Sequence, residues 1–520
     1  MFDILLKNGE IIDGTGKKPK FKSDVAITGG KISEIAENIP ESKAKVVIDT
    51  GGKFIVPGFI DIQNHSDAYW TLFDEPDQLS LISQGITSII VGNCGSSLAP
   101  LTSTEAIKTI QKWHNLAGIN INWSTFAEFL RSMHQKTAVN VGSLVGHATL
   151  RRGLLGDQVR KATSDEIQIM DKLLSQSLEQ GALGLSLGLV YAHEVNSTAE
   201  ELLELSKNLK TREAYLSVHL RSEGAHVLES LDEVIEIAKK AGVALKISHF
   251  KIQNQKNWHL GKQALKKIED AYHSGLDISF DVYPYHTSWS VLYTYLPKWA
   301  YEGGRQEILR MMASPVERKK ILEYLKTQEY DYKNITVATS ENNSGFIGKT
   351  VADIAANSGV SGAEALLNIL TACKTQAVAF DRNLSDELVD ELLASPLGMI
   401  ATDGAGYTAQ TENLVHPRCY GAMPRFLSWV REKKKISWEE AIRKITSEPA
   451  RLIKITDRGT IAKNLIADLV VIDPKKVSDQ ATYEHPFQLS FGIDSVIVNG
   501  QIAYYDGRGS GHFGTILRRT

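Results

Sequence analysis

Between Phe54 and Thr402 short apolar runs alternate with amphipathic stretches, and this alternation constrains the fold more than any other feature of the chain. The runs are Phe54 to Ile62, Thr87 to Gly92, Ala138 to Val145, Ala182 to Leu187, Ala214 to Val218, Ala244 to Ser248, Asp277 to Val282 and Met399 to Thr402. Stretches between them, such as Asp165 to Glu179, Glu200 to Lys210 and Leu231 to Ala241, place apolar residues at helical spacing. A strand followed by a helix that leads back to a parallel strand is a βα unit. Eight such strands are what a closed α/β barrel of the TIM (β/α)8 type requires, here a distorted one. More than a hundred residues separate the seventh and eighth runs, and Asn334 to Thr339 within them is itself strand-like. An insertion at about 286–345 is therefore expected, with a lid over the barrel mouth as its simplest role.

The two ends have another texture. Residues 2–55 hold short alternating runs broken by Asn8-Gly9, Asp13-Gly14 and Gly29-Gly30, which is the turn chemistry of hairpins. The same pattern returns in Ala467 to Ile472, Ile493 to Val498 and Gln501 to Tyr505. Residues 1–55 and 455–520 are thus expected to form one small β-sandwich domain, with 56–454 folding between them as the barrel.

Composition narrows the function. Lys plus Arg number 58 against 61 acidic residues, a net charge of -3, so neither nucleic acid nor an acidic membrane is an expected partner and a small-molecule substrate is. No apolar run approaches the ~18 residues of a membrane span, and Met1 to Lys7 has neither a basic nor a long apolar leader region. Three scattered cysteines, Cys94, Cys373 and Cys419, suit a reducing compartment, and the expected location is cytoplasmic. Cys373 sits in an apolar helical pattern and is expected in the core; Cys419 is expected in a loop that could line the mouth.

Barrel chemistry gathers at the C-terminal ends of the strands. Strand one ends at Gln63-Asn-His65-Ser-Asp67, strand two at Asn93-Cys94, strand five at His219, strand six at His249 and strand eight at Asp403. Imidazole, thiolate and carboxylate are the side chains that hold Zn²⁺. His65, Cys94, His219, His249 and Asp403 are accordingly expected to form one metal site. His147 also follows a strand and is expected to support the ligands or the substrate cleft. The other histidines, His416 among them, are read as surface, loop or packing residues.

These residues carry a resemblance. Pro57-Gly-Phe-Ile-Asp61 with His65-Ser-Asp67 resembles the strand-one signature of the amidohydrolase superfamily. Gly92-Asn-Cys-Gly95, Gly146-His-Ala-Thr-Leu-Arg151, His219-Leu-Arg221, Ile247-Ser-His-Phe-Lys251, Asp281-Val-Tyr-Pro-Tyr285, Thr402-Asp-Gly404 and His416-Pro-Arg-Cys-Tyr-Gly421 are similar, in that order, to the N-acyl-D-amino-acid deacylase (D-aminoacylase) family. The resemblance implies that Cys94, His219 and His249 hold one metal tightly while His65 and Asp403 border a second site. The superfamily usually has His-x-His after strand one, and this chain has Gln63 at the first position. An amide oxygen is a poorer zinc ligand than imidazole, so one firmly bound zinc and a weak or empty second site are expected.

Such a zinc would activate water and polarise an amide, with Asp403 moving the proton to the departing nitrogen and His65 positioning the nucleophile. The resemblance favours Lys251, Tyr283 and Tyr191 as the substrate's carboxylate anchor, with Arg221 and Arg418 in reserve. The expected function is zinc-dependent hydrolysis of N-acyl-D-amino acids or a related N-acyl compound. A cyclic-amide hydrolase of the hydantoinase or dihydroorotase type is a second reading, disfavoured because Ser186 to Tyr191 offers no lysine for carboxylation. A barrel that survives only as a binding module is a third.

Overall fold

A computed structural model describes residues 1–103, 120–156, 158–340, 343–408, 410–411 and 413–519. Eight parallel strands form its centre: β1 (Phe59–Asp61), β2 (Ile86–Val91), β3 (Asn140–Ser143 continued by Val145–Gly146), β4 (Gly184–Gly188), β5 (Tyr215–His219), β6 (Leu245–Ile247), β7 (Ile278–Val282) and β8 (Gly398–Ile400). Pairing runs β1-β2-β3 and then β3-β4-β5-β6-β7-β8. A parallel bridge between Asn64 and Gly404 joins β8 back to β1, and His65 N–H to Gly404 O (2.7 Å) and Asp403 N–H to Gln63 O (2.9 Å) complete the seam. The result is the (β/α)8 barrel.

Every strand is buried along its length, which explains why the runs are continuously apolar rather than alternating. Two of the helices between them show how side chains cap their starts. Thr163 and Glu166 form a capping box before Ser164–Glu179, and Thr198 accepts from Glu201 N–H before Ala199–Lys210. Ile60, Ile90, Leu144, Leu183, Tyr215 and Met399 belong to one buried cluster contributed by successive barrel elements.

The run Phe54 to Ile62 is not one strand. Phe54–Pro57 pairs antiparallel with Leu469–Ile472 in a nine-stranded sheet built from both ends of the chain, and only Phe59–Asp61 enters the barrel. Pro57 has no N–H for a continuing ladder, and Gly58 lies so close to β2 that a Cβ there would sit 2.2 Å from Thr87 Oγ1. Within the nine-stranded sheet Ile4, Leu6, Val25, Ile27, Ile55 and Leu469 share one core, while Leu5 and Ala26 belong to another, as the two-residue period of strands requires.

The excursion after β7 reaches Asp381, beyond the expected 286–345. Ala377–Asp381 is the central strand of a three-stranded antiparallel sheet between Ser288–Val291 and Ile335–Ser340. This layer has its own core, which includes Leu292, Ile308, Ile335, Leu366 and the buried Cys373. Cys419 is not in a loop: it lies in the first turn of the helix Arg418–Lys433, fully buried, and burial pushes its thiol up to about 12. No helix among the described residues is long and apolar enough to cross a membrane.

The helix Trp438–Ile445 packs on β1 and β8, the strands that carry His65 and Asp403. Its Lys444 is fully buried and donates to Ser395 O, and burial depresses the ammonium from 10.5 to about 7. Between those two values the unfolded chain binds more protons than the folded one, so stability rises with pH across that window, and below it the cost is fully present, of order a few kcal/mol. Lys444→Met should therefore raise the melting temperature more at pH 6 than at pH 10, as differential scanning calorimetry can read.

Candidate metal centre

Three of the expected ligands follow their strands in left-handed backbone: Cys94 (φ 52°), His249 (φ 36°) and Asp403 (φ 47°). Such conformations cost about 1–3 kcal/mol each for residues with a Cβ and persist where the surroundings enforce them. Asp67 helps to hold the Cys94 turn by accepting the Gly92 N–H at 2.9 Å. On its other side Gly95 packs against Glu194, whose Oε1 lies 1.7 Å from where a Cβ would be.

At the mouth, Cys94, His219 and His249 are buried with one donor atom each, all within 4.8 Å of one another. Cys94 Sγ is 3.3 Å from His249 Nε2 and 3.9 Å from His65 Nε2. His65 Nε2 is 3.0 Å from Asp403 Oδ1, and Arg418 donates to Asp403 Oδ2 at 2.8 Å. The structure thus brings together all five sequence-predicted ligands. Lys251 lies beside them, Tyr191 packs its ring 5.0 Å from that of His219, and Tyr283 lies under the Arg418 guanidinium at 4.5 Å.

The charges of this pocket ask for a cation. Burial opposes the Cys94 thiolate, yet His249, His219 and His65 hold its pKa well below that of an ordinary thiol. Burial pulls the His65 imidazole down, but Asp403 and Cys94 push it up to about 9. Burial and Lys251 pull His249 down, while Asp403, Cys94 and Glu223 carry it up to about 10. Imidazoles that hold protons this firmly sit in an excess of negative charge. His219 leaves its buried Nδ1 without a hydrogen-bond partner. One thiolate and two imidazoles, one of them with an orphaned ring nitrogen, fit zinc.

Several contributors escaped the sequence reading. Glu223, four residues beyond His219, is a hub: it accepts from Lys251 Nζ (2.6 Å) and Gln253 Nε2 (3.0 Å) and lies 3.0 Å from His249 Nδ1. Burial alone would raise its pKa; Lys251, His219 and His249 instead hold it well below the carboxylate range. Lys246 on β6 and Asp281 on β7 form a wholly buried ion pair, and Asp281 also accepts the His249 N–H at 2.8 Å. A charged residue inside an apolar run on each of two consecutive strands was the available signal. His416 accepts the Arg418 N–H and donates to Thr287 O, so it positions that arginine.

His147 stands apart from the mouth. It is buried between Glu194 (3.2 Å) and Glu201 (2.8 Å), and Glu201 also pairs with Arg151. Glu194 in turn accepts the N–H groups of Gly188 and Ala148, so the cluster braces the loops around Cys94 rather than meeting a metal. A cleft of about 1380 Å³ leads outward from His219, Arg221 and Glu223 to Tyr295, Tyr301 and Asp381 of the inserted layer.

A (β/α)8 barrel that gathers thiolate, imidazole and carboxylate at the C-terminal ends of its strands defines a metal-dependent hydrolase. Residues 46–504 match the Amidohydrolase family, and the chain belongs to that family, in its N-acyl-D-amino-acid deacylase branch. D-aminoacylase from Alcaligenes xylosoxydans xylosoxydans is 30% identical over 522 residues, which span 100% of this chain and 98% of that protein. The crystal structure of N-acyl-D-glutamate deacylase from Bordetella bronchiseptica, complexed with zinc and a phosphonate mimic of the tetrahedral intermediate, superposes with a TM-score of 0.84 at 29% identity, covering 99% of each chain. A D-aminoacylase structure described by one-metal activation and second-metal attenuation of its binuclear centre gives 0.84 at 31% identity over 100% of both chains.

Glu223 holds His249 from behind, and partners of this kind typically contribute about 10- to 100-fold to metal affinity. Glu223→Gln should weaken zinc binding by about that factor, measured by competition with a chelator of known affinity.

Proposed function

We propose that this chain is a zinc-dependent deacylase that cleaves N-acyl-D-amino acids, or a closely related N-acyl compound, to a carboxylate and a free amine. The observation that carries the reading is the buried Cys94, His219 and His249 cluster beside the His65 and Asp403 pair. A zinc ion there would lower the pKa of water to about 7 and polarise the amide carbonyl. Cys94, His219 and His249 would hold it, and at the second-metal position residue 63 offers an amide, a poorer zinc ligand than imidazole. The absence of a lysine from β4 weighs against a cyclic-amide hydrolase.

Asp403 is the proton carrier of this reading. Burial would raise its pKa, but Arg418, His249 and His65 hold the carboxyl well below its usual range, so it starts ionised and able to accept a proton. It takes that proton from the attacking water and passes it to the departing nitrogen. His65, 3.0 Å from its Oδ1, fixes the carboxylate and steadies it through the transfer.

The carboxylate anchor moves from the expected Lys251 towards Arg418. Lys251 Nζ already donates to Glu223 and to His249 O, and its ammonium is paired with the Glu223 carboxylate. Arg418, buried between Tyr283 and Trp289, spends only Nη2 on Asp403, and its Nε and Nη1 are buried without partners, as is the Tyr283 hydroxyl. Unsatisfied buried donors around a guanidinium suit a substrate carboxylate. Tyr191 would close the other side against His219.

The test is a hydrolysis screen of N-acyl-D-amino acids, N-acyl-L-amino acids and cyclic amides with zinc supplied; turnover of the first class alone is expected, and turnover confined to cyclic amides would overturn the reading. Asp403→Asn should retain zinc and lose about 10²- to 10⁴-fold in kcat. Arg418→Met should raise KM by at least about tenfold for a substrate with a free carboxylate and far less for the corresponding amide, the loss of one charge-assisted anchor.

A further inference from the structure

Behind the metal cluster, Lys246 stands one residue before the Ile247 to Lys251 motif. It is wholly buried on β6, is paired with the wholly buried Asp281, and donates to Gln63 Oε1 at 2.7 Å. An amide has one acceptor atom, and here the ammonium has taken it. Gln63 therefore turns its NH₂ to the centre, 3.1 Å from Cys94 Sγ and 3.5 Å from His65 Nε2. The opposite amide rotamer would set oxygen against the thiolate and N–H against the ammonium, so the network selects this orientation by itself.

We infer that Lys246, acting through Gln63, keeps this centre at one metal ion and makes the enzyme indifferent to excess zinc. Gln63 presents hydrogens where a ligand to a second ion would present a lone pair, and a fixed ammonium stands behind it. A second dication at this position would face the fixed, wholly buried Lys246 ammonium across the Gln63 amide. A histidine at residue 63 would meet the same ammonium, so Gln63 is not the whole cause. This rests on the one-zinc deacylase reading, and it separates the chain from the relative described by second-metal attenuation.

Zinc per chain, measured by mass spectrometry after equilibrium dialysis over rising zinc, tests it without reference to turnover. Wild type and Gln63→His should both stop at one ion per chain under a hundredfold excess. Gln63→His combined with Lys246→Met and Asp281→Asn, which removes the ion pair as a unit and keeps an acceptor for His249 N–H, should take two. Circular dichroism and the retained first zinc report that this variant folds; should it not fold, Gln63→His alone still decides. Two ions in wild type would sink the one-metal reading itself. One in wild type but two in Gln63→His, or one in the folded triple variant, would leave that reading standing and overturn the role of Lys246.

Discussion

The seam that joins the last barrel strand to the first is the constraint on which the site depends. The hydrogen bonds His65 N–H to Gly404 O and Asp403 N–H to Gln63 O link backbone more than three hundred residues apart in sequence. They set His65 and Gln63 beside Asp403 before any side chain contributes. Asp61 reinforces the junction from below, accepting both the N–H and the hydroxyl of Thr402 and the amide of Asn64. A slip of one residue at this seam would move each of these groups to the other side of its strand. The barrel is thus the device that turns five separated positions into one pocket.

Within that pocket the organising principle is charge pairing among buried groups. Asp403 with Arg418, Glu223 with Lys251 and Asp281 with Lys246 are buried ion pairs, and each also holds or borders a metal ligand. Buried pairs of this kind contribute little net stability, because desolvation offsets the attraction, but breaking one partner is strongly destabilising. Their value here is positional: Glu223 fixes one face of the His249 ring while Asp281 fixes its backbone. The left-handed backbone of His249 is held by its N–H bond to Asp281, and that of Asp403 by its N–H bond to Gln63 O.

The fold was legible in the sequence because a parallel barrel writes itself as apolar runs of strand length separated by amphipathic helices, and all eight runs became strands. The candidate ligand positions, which the structure gathers into one pocket, were legible because each lies within a few residues of the end of such a run. The division of Phe54 to Ile62 between two sheets was not, since apolarity is the same on both sides of Pro57-Gly58 and only pairing partners differ. The reach of the insertion to Asp381 was hidden because its third strand pairs with segments distant in sequence. Glu223 lies in a loop, and the free nitrogens of Arg418 and the rotamer of Gln63 are properties of three-dimensional neighbours that no spacing encodes.

On the proposed reading, charge pairing and the barrel seam build the first metal position from thiolate and imidazole and leave the second filled by hydrogen-bonding side chains. X-ray absorption at the zinc edge, on protein carrying one zinc per chain and again after exposure to excess, tests that division most directly. The expected spectrum has a first shell with one sulfur at about 2.3 Å and imidazole nitrogens at about 2.0 Å, unchanged by the excess. A shell without sulfur, or a metal–metal vector at about 3.5 Å, would contradict it.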